Sequence, residues 1–190
     1  MERIFIADKT FDKVDFTQKP FQKGDYECCK FVGCNFSSID LSYINFTECE
    51  FIDCNLTMVK LTKASFRDAN FKGCKMLGLH FESCSDMLLS FSFEGCTLNL
   101  SSFYKLKIKK TWFKDCSIQE VDFSESDLSE SLFENCDLTR AIYDRSIIEK
   151  VDFSTSYGYS INPEKNRIKK AKFSINGIPG LLQQYDIEIV

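Results

Sequence analysis

A chain of 190 residues, 44% hydrophobic and 27% charged, is one soluble domain or one domain and a cap. Its net charge of −4 speaks against general affinity for nucleic acid, which depends on Lys and Arg neutralising phosphates. With 10 Cys, one His and no C-x-x-C pair, it lacks zinc-ligand spacing, and no cofactor is expected.

The first residues, Met1 to Lys9, carry no long apolar stretch of the kind that marks a signal peptide. No later run approaches the ~18 apolar residues that span a bilayer. The expectation is a cytoplasmic protein, without membrane association and with reduced thiols. From Ile6 every fifth residue is apolar: Phe11, Phe16, Phe21, Tyr26, Phe31, Phe36, Leu41, Phe46 and Phe51, then on through Leu56, Leu61, Phe66, Phe71 and Met76 to Phe81. After two extra residues the register resumes at Leu88 and runs through Phe93, Leu98, Phe103, Ile108, Phe113, Ile118, Phe123, Leu128, Phe133, Leu138, Tyr143 and Ile148 to Phe153. Nearly all of the 19 Phe stand in this register.

Small or apolar residues dominate two places before the centre, as at Val14, Cys34, Ile44, Cys54, Ala64, Cys74, Val121 and Val151. Side chains two apart on an extended segment share a face, so both point inward. A period of five fits neither the helical 3.6 nor the strand 2.0. It requires a short extended piece and a turn, repeated on four sides. The spacing predicts an all-β solenoid, a right-handed quadrilateral β-helix of about 7–8 coils and roughly 36 Å, over residues 1–156. Centres twenty apart form a Phe column, Phe11, Phe31, Phe51 and Phe71, resumed by Phe93, Phe113, Phe133 and Phe153. On the next side Cys34, Cys54, Cys74, Cys96, Cys116 and Cys136 line up. Both columns survive the slip if the extra residues bulge at a corner near 82–87.

Most cysteines are explained as small core residues; Cys28 alone stands outward. His80 also points outward, and no nucleophile and base are paired around it. The charges are more informative. Asp115, Glu120, Asp122, Glu125, Asp127, Glu130, Glu134 and Asp137 form an acidic girdle uninterrupted by Lys or Arg. Lys105, Lys107, Lys109, Lys110 and Lys114 precede it. Twenty-residue stacking pairs Lys105–Glu125–Arg145, Lys110–Glu130–Lys150 and Glu120–Arg140. Asp122, Asp127, Glu134 and Asp137 lack such partners and are the better surface candidates. The girdle divides between stability and recognition.

After Phe153 the pattern stops. Residues 157–190 form a capping or dimerisation segment, with a short helix carrying Ile178, Leu181, Leu182 and Tyr185 on one face. Asp186 to Val190 alternates like a strand. This segment either seals its own rod or pairs with a second chain through Ile178, Leu181, Leu182, Tyr185, Ile187 and Ile189, the homodimer being favoured.

The repeat resembles the pentapeptide-repeat proteins, with consensus A-(D/N)-L-x-x, in Val121-Asp-Phe-Ser-Glu, Ser126-Asp-Leu-Ser-Glu, Cys136-Asp-Leu-Thr-Arg and Val151-Asp-Phe-Ser-Thr. The tail, Ile161-Asn-Pro-Glu-Lys-Asn-Arg-Ile with its short helix, is similar to that of a gyrase-protecting subgroup. That resemblance implies a non-enzymatic protein that binds DNA gyrase and/or topoisomerase IV and partly mimics DNA. It would guard the enzyme against quinolones or peptide toxins such as microcins, dimerise through its C-terminus and make no direct nucleic-acid contact. Duplex DNA of 36 Å carries roughly 21 charges, so mimicry would be local to the girdle. Quinolone-protecting members often carry long loops; the two-residue slip here points instead to toxin immunity or a loop-free relative. The alternative is an interaction rod with a different partner.

Overall fold

The computed structural model describes residues 3–188. The chain winds into a parallel-strand β-solenoid of about eight turns. One side is a nine-stranded sheet of Thr10–Asp12, Lys30–Val32, Glu50–Ile52, Ala69–Lys72, Phe91–Glu94, Trp112–Lys114, Leu132–Glu134, Asp152–Phe153 and Lys172–Phe173. Another side begins as a four-stranded sheet of Ile4–Ala7, Gly24–Glu27, Asn45–Thr47 and Ser65–Arg67. Elsewhere successive coils meet through single bridges, such as Asn35 to Asn55 and Asp122 to Ile142. Register advances by the twenty-residue coil, Phe31 facing Phe51 and Phe113 facing Phe133.

The Phe column is a continuous stack. Ring centroids are 4.8 Å apart for Phe11–Phe31 and Phe31–Phe51, 5.3 Å for Phe71–Phe93 across the slip, and 4.6 Å for Phe113–Phe133. It continues one rung beyond the sequence pattern, since Phe173 stacks on Phe153 at 5.6 Å and Lys172–Phe173 pairs parallel with Asp152–Phe153. The last coil thus draws in residues from the C-terminal segment.

Most corners are turned by a left-handed residue two places after the centre, among them Lys13, Glu48, Lys110 (φ 58°) and Glu130 (φ 63°). Left-handed backbone costs a non-glycine residue about 1–2 kcal/mol. Here the amide of that residue is used: Lys110 donates to the Ser129 carbonyl and Glu130 to that of Glu149, each at 3.0 Å. The cysteines two before the centre act as donors as well. Cys54 Sγ reaches the Phe31 carbonyl at 3.4 Å, Cys74 that of Phe51 at 3.3 Å and Cys136 that of Phe113 at 3.4 Å. One coil later Ser156 makes the same bond to Phe133 at 2.8 Å. A small side chain with a donor therefore fits this slot, because the carbonyl of a centre residue in the preceding coil lies within its reach.

At the slip, a 3-10 turn over Phe81–Ser83 opens an irregular stretch through Ser90. Past it Ala69 faces Phe91, so the register has advanced by the two extra residues. Leu88, expected inside, is instead 61% exposed and turns the corner at φ 57°. Its neighbour Leu89 packs half-buried against the core, and Phe91, at the inward place two before Phe93, is buried 5.5 Å from Phe81 and 6.0 Å from Phe103. The corner takes Leu88.

Beyond Phe173 come a 3-10 turn at Ile175–Gly177, a one-turn helix at Pro179–Leu182 and a 3-10 turn at Gln183–Tyr185. The expected terminal strand is not formed at residues 186–188, where Asp186 is left-handed; Ile189 and Val190 lie outside the described residues. The Gly180 carbonyl accepts from the Ile161 amide at 3.0 Å, and Leu181 is buried on the rod's end. An added Cβ at Gly180 would collide with the Tyr159 backbone, so this close approach requires glycine.

Candidate partner-binding surface

The girdle residues occupy successive positions of the repeat, so they encircle the rod. Asp115, Glu120, Glu125 and Glu130 are the left-handed residues of four successive corners. Glu134 lies on the nine-stranded sheet, while Asp122, Asp127 and Asp137 lie at bridge positions on the other three sides. The structure does not bring the eight together on one face.

Most of them are also committed to neighbouring coils. Glu125 lies between Lys105 at 3.5 Å and Arg145 at 3.0 Å. Glu130 lies between Lys110 at 3.8 Å and Lys150 at 2.9 Å, and Arg140 holds Glu120 at 3.3 Å. The Lys150 hydrogen bond and charge keep the Glu130 carboxyl below its usual range. Asp127, expected to be unpaired, meets Lys109 at 3.1 Å and its side chain is only 13% exposed. Burial raises its pKa, but bonds from the Ser129 hydroxyl and amide and from Lys109 outweigh burial and hold it low. Counting twenty residues along the chain missed this pair because it is diagonal, one place after one centre to one place before the next. The same diagonal joins Gln119 Nε2 to Asp137 Oδ2 at 2.6 Å and Arg167 to Glu149 at 2.8 Å.

Asp137 also accepts from the Thr139 amide at 3.0 Å, and Asp122 from the Ser124 amide at 2.8 Å. Asp115 accepts from Asn135 Nδ2 at 2.7 Å. Among the described residues, Asp115, Asp122, Glu134 and Asp137 form no ion pair. Asp115, Asn135 and Asp137 line one shallow hollow together with Tyr157, which is exposed. This acidic corner is the part of the girdle with charge to offer.

At the C-terminus the candidate dimer residues separate. Ile178, Tyr185 and Ile187 are exposed, Leu182 is half-buried, and Leu181 is spent on the rod itself. Ile189 lies outside the described residues. Sequence reasoning missed Ile175, which is 89% exposed beside them. Tyr185 is held by its hydroxyl, which donates to Glu164 Oε1 at 2.8 Å.

Cys28 is exposed, but its thiol is no better nucleophile for that: desolvation and the charges of Glu48, Asp8 and Glu27 all raise its pKa. His80 Nδ1 contacts Glu82 Oε1 at 2.8 Å on the surface. Among the described residues no cluster of His, Cys, Asp and Glu is placed to hold a metal, and no helix is long and apolar enough to cross a membrane.

Comparison with known proteins agrees with this architecture. The model of the pentapeptide repeat region matches residues 86–157, and that of pentapeptide repeats, in 8 copies, matches residues 29–68. No curated protein matches the chain in sequence. Among solved structures, full-length QnrB1, a plasmid-mediated fluoroquinolone resistance protein, aligns at a TM-score of 0.58 and 16% identity, covering 96% of this chain and 100% of that one. A trypsin-treated QnrB1 variant gives 0.58 at 18% identity, over 98% of this chain and 92% of its own. HetL of the cyanobacterium Nostoc sp. strain PCC 7120, a pentapeptide repeat protein involved in heterocyst differentiation regulation, gives 0.58 at 12% identity over 90% and 84%. At these identities the likeness is one of fold. With two repeat models together spanning more than half of its length and a matching solenoid, the chain belongs to the pentapeptide-repeat proteins.

Proposed function

We propose that the protein is a non-enzymatic binding rod for DNA gyrase or topoisomerase IV, which it spares from quinolones or peptide toxins. The observation that carries this reading is the end-to-end match of the fold to QnrB1, a fluoroquinolone resistance protein, together with an unpaired acidic corner on the rod. Asp115 and Asp137 supply the local negative charge, with Glu134 on the adjoining sheet and Asp122 on a separate side of the rod. The exposed Ile175, Ile178, Tyr185 and Ile187 join two copies end to end. DNA-like charge is confined to that corner, since Lys and Arg from adjacent coils neutralise Glu120, Glu125, Asp127 and Glu130.

The test is a supercoiling assay with purified gyrase and a quinolone or microcin. The protein should restore supercoiling, and the Asp115→Asn/Asp122→Asn/Asp137→Asn variant should lose most of that effect. Asparagine keeps the turn-capping oxygen and removes the charge, so the coils stay intact. If the wild-type protein neither rescues supercoiling nor inhibits it, the reading is overturned. The match to HetL favours a second reading, a rod for another partner; a pull-down recovering a stable non-topoisomerase complex would support it.

A further inference from the structure

The chain's single Trp, Trp112, stands on the outer surface of the nine-stranded sheet, 38% exposed, with Leu132 beside it on the next strand. On its other side the same outward column continues through Ser92 to Asn70. There the sheet has a shallow hollow of about 360 Å³, lined by Asn70, Ser92, Ile52, Lys72 and Glu94 with Trp112 at its rim. The second outward column of this sheet reads Lys72, Glu94, Lys114, Glu134 in strand order. Its signs alternate, Glu94 lying 3.1 Å from Lys72 and 3.6 Å from Lys114 within the chain. The order reversed is its own complement, so a facing copy extends each pair into a network.

We propose that this face docks a second copy of the chain, the two rods lying antiparallel about a two-fold axis between Phe91–Glu94 and Trp112–Lys114. An axis along the strands keeps each outward column opposite itself and reverses its order. Glu94 then meets Lys114 of the second copy, and Lys72 meets its Glu134. In the other column Ser92 receives Trp112 of the second copy and Asn70 receives its Leu132, so one rod's apolar pair enters the other's hollow. Farther out, Glu50 faces Asp152 and Lys30 faces Lys172 of the second copy, like against like. Each charge is held by its own chain's partner, Lys30 to Glu50 at 3.0 Å and Lys172 to Asp152 at 2.9 Å, so the attraction comes from the central strands. A parallel arrangement would set Trp112 on Lys114 and Glu94 on Ser92, with no charge pair formed between the copies. The whole face, eight strand spacings by one strand segment, covers roughly 600 Å² on each copy. That is the low end of specific interfaces, so the pair is weak and concentration-dependent. A buried Trp at its centre is the kind of anchor such a contact needs.

Trp112 reports on the contact directly. In the full-length chain, emission should shift to the blue and acrylamide quenching should fall as protein rises from roughly 1 to 300 μM. Glu94→Lys and Lys114→Glu, each acting twice through the symmetry, should separately weaken the pair by about tenfold or more and suppress the shift. An equimolar mixture of the two variants should recover it, because every new charge again finds its opposite across the axis. A wild-type emission that ignores concentration, a single variant that behaves as wild type, or a mixture that fails to recover would each overturn the proposal. Association through the C-terminal end lies three strands away from Trp112 and leaves its emission unchanged, so the two contacts are tested separately.

Discussion

At Asp127 three groups compete over one carboxylate. Burial favours the neutral acid, while the Ser129 hydroxyl and amide and the Lys109 ammonium favour the anion, and together they win. A folded-state pKa below the unfolded one adds stability that is complete above the unfolded value and vanishes as pH falls through the folded value. Asp127→Asn should therefore cost about 0.5–1 kcal/mol at neutral pH. The gap to wild type should close as pH falls below about 4, the ordinary Asp range. Urea melts at both pH values check it; a gap that persists in acid would mean that Asn fails on packing instead. The buried thiols follow the opposite logic. Desolvation pushes Cys49 and Cys84 up to about 12, which leaves both as protonated core filler, Cys49 donating to the Tyr26 carbonyl as well.

The Phe stack is the element on which the solenoid closes. Each ring touches the one above and below, edge contacts from adjacent sides complete its surroundings, and Phe113 meets Phe123 edge-on at 6.2 Å. No coil could bury its own face alone, so neighbours stabilise one another and the ends are weakest. Phe113→Ala, in a fully buried rung, should cost about 3–5 kcal/mol. Phe11→Ala, in the half-buried first coil, should cost about half of that. Thermal melts of the pair give the comparison. Equal losses would show that the rod unfolds without regard to position.

For the whole molecule the two ends pose different problems. At the C-terminal end Leu181 covers the last coil, yet Ile175, Ile178 and Ile187 remain exposed around it. The proposed end-to-end dimer buries that cluster. Ile175→Ser with Ile178→Ser should halve the sedimenting mass in the dilute protein while leaving the circular dichroism spectrum unchanged. A wild-type chain that sediments as a monomer throughout would end the idea. Along the sides, paired charges make the surface far less like DNA than the count of acids suggests. That is a property of coil stacking, since the corner carboxylates Glu120, Glu125 and Glu130 each stand one coil from a corner cation.

The solenoid was legible because its rule is local. A five-residue period with two inward places forces a corner every five residues, and Phe31, Phe51 or Phe133 could face nowhere else. The direct ion pairs Glu125–Arg145 and Glu130–Lys150 followed from the same arithmetic. Three features escaped it, each depending on where one coil lies over the next. The diagonal Lys109–Asp127 contact arises from the slant between residues that flank successive centres. The exposure of Leu88, with Leu89 turned toward the core, depends on where the bulge sets the corner. The last rung at Phe173 exists because parallel pairing to Asp152–Phe153 captures a segment whose own pattern is irregular. The sequence by itself determined the coil, its inner columns and most of its charge ladders, since these repeat with the chain. Only the tertiary structure decided which acids remain free and which apolar residues stay exposed. Desolvation and pairing are set by the neighbouring coil, and the period leaves the neighbour's side chain unspecified.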